Sequence, residues 1–188
     1  MKTKALFLAV LMVVSMALFA GCSSVTPTTT AAPTTTPTTV DASAGASHAT
    51  DEASFEKAIA ADGTWIIYTT ADLTVTKAMT LDGEFTNDRK DDAGKDVIQR
   101  KIGLYTQDAD RNVTARFTLT IPELTIKSPN ASIQHGIVKG DLVVDVDDFQ
   151  LVDTKVEGNV YFTEQAYKDS FVMDDDSSIT GKNEVKAN

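Results

Sequence analysis

The chain has 188 residues, 42% of them hydrophobic, and carries 27 Asp and Glu against 17 Lys and Arg, a formal net charge of −10. So acidic a protein repels the phosphates of nucleic acid and the headgroups of anionic lipid, and neither is an expected partner. One cysteine leaves nothing to pair in an internal disulfide, and two distant histidines, His48 and His135, exclude a zinc site of histidine and cysteine ligands.

The first segment is basic and then apolar. Lys2 and Lys4 precede the run Ala5–Ala20, whose 16 residues fall short of a membrane span of ~20. The run ends in Leu18-Phe19-Ala20-Gly21-Cys22. This segment resembles a bacterial lipoprotein signal peptide, whose lipobox closes on Gly-Cys or Ala-Cys, although Phe19 stands where that family usually has Leu. The resemblance implies cleavage after residue 21 and acylation of Cys22 with a diacylglycerol and a further acyl chain. The protein would then be anchored on the extracytoplasmic face of the cell membrane. Losing residues 1–21 removes two lysines and no acid, which leaves 15 basic against 27 acidic residues and a net charge of −12.

Residues 22–50 follow as a stalk. Thr, Pro, Ala and Ser dominate it, and nothing in it could form an apolar face. Such a segment stays extended, near ~3.1 Å per residue where proline enforces polyproline II geometry. Its reach is then on the order of 80 Å, enough to hold residues 51–188 clear of a bilayer.

The remaining residues, 51–188, suffice for one domain. The segment 54–63 spaces Phe55, Ala58 and Ile59 for a helix that stops at Gly63. Short apolar strands follow from Trp65 to Tyr68 and from Leu73 to Phe85. Residues 86–99 are charged and without an apolar period, and read as a long loop. The segments 100–106 and 113–121 alternate well enough to be strands, and the 57 residues from Gly83 to Gly140 leave room for three irregular coils.

Downstream of residue 123 an internal repeat appears. Ile133 to Leu151, Val138 to Val156 and Gly140 to Gly158 are each 18 residues apart, and Gly158 to Gly181 is 23, the excess lying mainly in the polar insert 163–170. The pairs Leu124/Ile126, Leu142/Val144 and Val160/Phe162 recur at the same interval, with Val185 next. Alternating apolar pairs are short strands with one buried face, and equal intervals stack equivalent residues coil upon coil. The glycines mark a corner where a side chain is unwelcome. The fold class is therefore all-β: a single-stranded parallel β-helix, a solenoid of about 18 residues per short coil, with a short N-terminal capping helix. It is right-handed by the crossover preference of parallel strands, since the aliphatic-glycine hexapeptides of the left-handed form are absent. The insert 163–170, with Tyr167, is long enough to fold over the last coil, and Lys182 and Lys186 charge its open edge, so a monomer is expected.

The segment 54–85, with its Ala-Ile helix, glycine, apolar strand and lysine before a second strand ending in glycine, is similar to the opening of pectate-lyase-like right-handed β-helix domains. The resemblance implies a superfold that hosts many activities. A polysaccharide lyase on it needs several carboxylates around calcium and a basic group near the scissile bond. Candidate calcium ligands are Asp153, Asp174 and Asp175, one coil apart. Yet Arg89, Arg100, Arg111 and Arg116 all lie upstream of those acids, so the base is missing, and His135 reads as a corner residue. The four tyrosines, Tyr68, Tyr105, Tyr161 and Tyr167, could form a sugar-stacking face. Tyr161, between the inward Val160 and Phe162, points outward and is the candidate ligand-binding residue. The expected function is a non-enzymatic surface lipoprotein that contacts an envelope glycan or protein and needs no cofactor. The alternative is a minimal calcium-dependent carbohydrate-active enzyme.

Overall fold

In the computed structural model the described residues are 45–186; Cys22, the signal segment and nearly all of the stalk lie outside them. These residues are mostly β-strand, and their two main sheets are parallel throughout. The first sheet runs Ala46–His48, Ile66–Tyr68, Arg100–Gly103, Ala131–Gln134, Gln150–Val152 and Val172–Met173. The second is bent into two halves. One half holds Leu73–Thr74, Lys155–Glu157 and Ser178–Ile179, and the other holds Met79–Leu81, Val160–Phe162 and Asn183–Val185. Two long strands, Thr118–Ile126 and Ile137–Val144, span both halves. Within residues 66–185 the chain passes five times from the first sheet to both halves of the second and returns four times.

The 18-residue repeat is the pairing register itself. Ile133 lies beside Leu151, Val138 beside Val156, Leu142 beside Val160 and Val144 beside Phe162. The longer step continues it, with Val156 beside Ile179 and Phe162 beside Val185. Each of the 18-spaced residues is fully buried, and all belong to one apolar core. Burying such a side chain contributes ~1.5–3 kcal/mol, so the columns are the main stabilising term. The corner between the halves of the second sheet explains the glycines. A Cβ at Gly140 would strike the Ile121 carbonyl oxygen, one at Gly158 the Gly140 oxygen, and one at Gly181 the Gly158 oxygen. Of the three only Gly140 has positive φ, at 142°. Gly83 does not belong to this column. It lies past the strand Met79–Leu81, in the left-handed region at φ 99° and tight against Ala61.

Helix α1 (Glu52–Ile59) begins at a capping box. The Asp51 carboxylate accepts from the Ser54 amide and the Ser54 hydroxyl from the Asp51 amide. It buries Phe55, Ala58 and Ile59 against the strands Ala46–His48, Ile66–Tyr68 and Met79–Leu81, as the apolar spacing implies. It stops at Ile59 rather than at Gly63, for Ala60 is already extended, at ψ 164°, and its carbonyl accepts from the Gly63 amide in a turn. Arg100 is fully buried, and its guanidinium donates to the carbonyls of Ala58 (2.8 Å), Ala60 (2.9 Å), Thr64 (3.1 Å) and Asp82 and to the Ser128 hydroxyl (3.2 Å). It also lies 4.2 Å from the Phe85 ring centroid. Burial lowers its pKa to about 10, with the charge of Asp82 opposing, so it remains a cation at neutral pH. One side chain thus adds charged donors to helix-terminal carbonyls that also accept from the amides of Gly63 and Thr64.

Four expectations change. Residues 46–48, read as the end of the stalk, form an edge strand paired with Ile66–Tyr68. The loop 86–99 is an antiparallel hairpin, Thr86–Lys90 with Asp96–Ile98, turned by Asp91, whose carboxylate accepts from the amides of Ala93 and Lys95. Tyr105–Gln107 and Val113–Arg116 form a second hairpin, turned by Asp108 accepting from Asp110 and Asn112. From the strand before Gly83 to the strand that holds Gly140 there are consequently two steps of the register, Leu81 to Ile126 to Val144, not three, and the surplus residues are in the hairpins. The insert 163–170 contains helix α2 (Gln165–Ser170), which packs beside Val160–Phe162 and Asn183–Val185 and brings Tyr167 against the core. The Lys168 amine donates to the Asn183 carbonyl at 2.8 Å. The cover is partial, for Val172 and Met173 remain 55% and 41% exposed.

Val156 is the most direct check on the columns. Val156→Asp, flanked by Val138 and Ile179, should abolish cooperative folding, and Val156→Ala should cost about 2 kcal/mol. Lys155→Asp, on the exposed side of the same strand, should melt near the parent. Equal melting of the two aspartate variants by circular dichroism would overturn the register.

Candidate functional site

The inward burial of Leu124, Leu142 and Val160 on one side, and of Ile126, Val144 and Phe162 on the other, turns the intervening residues outward. These form an outer column, Thr80, Thr125, Val143, Tyr161 and Glu184, each registered on the next. Glu123 borders it on the corner side, and Lys127, Asp145, Thr163 and Lys186 on the other. All of these except Glu184 line a groove of about 310 Å³. Tyr161 is where the alternation put it.

The groove's cations are already partnered. Lys127 lies 3.8 Å from the Asp145 carboxylate, which also accepts from the Thr163 hydroxyl at 2.6 Å. The Lys186 amine sits 4.8 Å from the Tyr161 ring centroid. Nearby Lys182 pairs with Glu184 at 2.9 Å, and that bond raises the lysine's pKa. Among the described residues, the Glu123 carboxylate and the hydroxyls of Thr80 and Thr125 have no side-chain hydrogen bond or ion pair. The groove therefore offers an unopposed carboxylate, two free hydroxyls, one apolar step at Val143 and one aromatic ring.

The other tyrosines do not share that face. Tyr68 stacks on His48 at 4.8 Å in the first sheet, Tyr105 is buried with its ring edge against His135, and Tyr167 packs on the core from α2.

The acids read as calcium ligands are engaged elsewhere. The Asp153 carboxylate accepts from Arg116 Nη2 at 2.6 Å and from His135 Nδ1 at 2.9 Å. Asp174 accepts from the Asp153 amide through both oxygens, at 3.0 Å each, and from the Ser177 hydroxyl at 2.6 Å. Asp175 is exposed. Among the described residues no three His, Cys, Asp or Glu side chains are placed to hold a metal. The expectation that no basic group reaches these acids is corrected by the same contacts. Arg116, 37 positions before Asp153 in the numbering, is folded back onto it by the second hairpin. His135 is a corner residue as expected. It and Asp153 hold left-handed backbone, φ 59° and 47°, one pass apart, and among the described residues no hydroxyl hydrogen-bonds to the imidazole.

No protein-family model, curated protein or solved structure matches this chain.

The bonds from Ser177 and from the Asp153 amide hold the Asp174 carboxyl below its ordinary value of 3.8. A folded-state pKa below the unfolded one contributes stability above that value, and the contribution is lost as pH falls through the folded pKa. Asp174→Asn should therefore flatten the fall in urea midpoint between about pH 5 and about pH 3. Parallel curves for variant and parent would show that these bonds carry no stability in solution.

Proposed function

We propose that this protein is a lipid-anchored surface protein of a bacterial envelope. In this reading residues 51–188, extended by the edge strand at 46–48, form a right-handed parallel β-helix of pectate-lyase-like type. The domain binds an envelope glycan or protein and is not an enzyme. The support for the helix is the repeated passage between parallel sheets at 18-residue intervals, with handedness following from the crossover preference. The anchor rests on the Gly21-Cys22 motif after a basic and apolar leader, and the stalk on the composition of residues 23–50. In the alternative, calcium-dependent reading, Asp153 would have to leave Arg116 and His135 before it could bind a metal, which weighs toward binding without catalysis.

The observation that carries the reading is the outer groove at Tyr161. It stands on paired strands within a rigid sheet and presents free polar groups around one aromatic ring. Small-ligand sites combine aromatic surface with a few placed polar groups in this way.

The test has two arms. Full-length protein from a bacterial host should enter the detergent phase on phase separation, and Cys22→Ala should move to the aqueous phase, because acyl chains contribute ~0.8 kcal/mol per buried CH₂. Detergent-solubilised protein should be retained on washed envelope fragments, and Tyr161→Ala should lower that retention about tenfold. Unchanged partitioning of Cys22→Ala overturns the anchor, and unchanged retention of Tyr161→Ala overturns the groove.

A further inference from the structure

Resting on that reading of the groove, we infer that its ligand is an uncharged glycan lying across the strands, along the Thr125, Val143 and Tyr161 column. Charge is the first ground. Lys127 and Lys186 are satisfied by Asp145 and by the Tyr161 ring, while the Glu123 carboxylate faces no cation. The chain as a whole carries −10. The lining is formally neutral, Lys127 and Lys186 against Glu123 and Asp145, so a uronate, sulfated or phosphorylated polymer would meet no net positive field here and the repulsion of the acidic chain as a whole. A neutral sugar meets a carboxylate that accepts from its hydroxyls and two threonine hydroxyls that donate or accept.

Geometry is the second ground. Neighbouring positions of the column are one strand apart, about 4.8 Å, so a polar group recurs at a fixed interval along the direction in which an extended polymer would lie. Val143 and Tyr161 interrupt the polar row with apolar surface, which suits the carbon faces of a pyranose chain. A peptide is disfavoured by the same geometry. Thr125, Val143 and Tyr161 belong to strands hydrogen-bonded on both sides, so no open backbone edge is offered for strand addition. Most lining side chains are hydroxyl-bearing or charged, leaving no apolar pocket for an anchoring side chain.

The experiment titrates the full chain, in detergent, with cellohexaose, mannohexaose, xylohexaose and hexagalacturonate, using calorimetry and saturation-transfer NMR. At least one neutral hexaose should bind and hexagalacturonate should not. Tyr161→Ala should raise the Kd about tenfold, and Thr74→Ala, on the other half of the sheet, should leave it unchanged, with circular dichroism confirming that both variants fold. Glu123→Lys should weaken the neutral ligand and admit hexagalacturonate. Tyr161-dependent binding of hexagalacturonate by the parent, or a neutral affinity indifferent to Tyr161, overturns the inference. Should no saccharide bind while envelope retention still depends on Tyr161, the ligand class is wrong and the binding face stands. Should retention also ignore Tyr161, both fall.

Discussion

The constraint on which everything else depends is that each pass must return the chain to the same place. A strand that re-enters the second sheet one residue out of step would turn Val138, Val156 and their equivalents to solvent and bring lysine or glutamate into the core. A constant interval of 18 residues removes that danger without any special contact, because equal lengths between equal corners give equal registers. The glycines serve the same end. At the corner, successive backbones approach so closely that a Cβ on Gly158 would occupy the carbonyl oxygen of Gly140. Passes of unequal length are possible only where the surplus leaves the sheets entirely. That is where the two hairpins and α2 are found.

The start of the fold is held by different means. Before residue 118 the intervals are irregular, and equal spacing cannot align the strands. Arg100 takes over part of that task by joining the end of α1, the approach to Ile66 and the turn at Asp82 through one guanidinium. A lysine could not do this, since the planar fork presents donors in several fixed directions at once. The helix is also fastened from outside, where Glu52 accepts from the amide and hydroxyl of Thr76 and Glu56 pairs with Lys77. Those contacts are exposed and position more than they stabilise. The far side has less cover. Tyr167 and Phe171 reach the core, but Val172 and Met173 stay open to solvent.

What could be read from the sequence follows from the range of the interactions involved. The columns were legible because their signal is a repeated interval and an alternation of two, both local. Tyr161 was legible for the same reason. The helix was placed correctly but stopped too late, because the chain turns at Ala60, before the glycine that marks a helix end in the sequence, and Arg100, 40 residues away, donates to the Ala60 carbonyl exposed there. The first hairpin was missed since Thr86–Lys90 is mostly exposed and polar, so no apolar face announces it, while the strands of the second were legible but their pairing was not. Their turns did leave a trace in the aspartates at 91 and 108, whose carboxylates gather amides from the residues that follow. The meeting of Arg116, His135 and Asp153 was not legible, because it requires the second hairpin to fold back across two passes. Counting bases upstream and acids downstream measures chain order, and chain order says little about proximity in a molecule built by repeated return.

The division of labour within each strand explains why a binding face can be placed here. Inward positions of the columns are fixed by packing, and any polar replacement there is costly. Outward positions take no part in the apolar core, so Thr80, Thr125, Val143, Tyr161 and Glu184 can differ from pass to pass without disturbing the register. Their spacing and direction are nonetheless set by the hydrogen-bonded backbone beneath them. Side chains of free identity on positions of fixed geometry are what recognition of an extended ligand requires, since little ordering entropy remains to oppose binding. The cluster of Arg116, His135 and Asp153 serves the scaffold in another way: it is closed on itself by two charge-assisted bonds and holds a hairpin to the body of the fold.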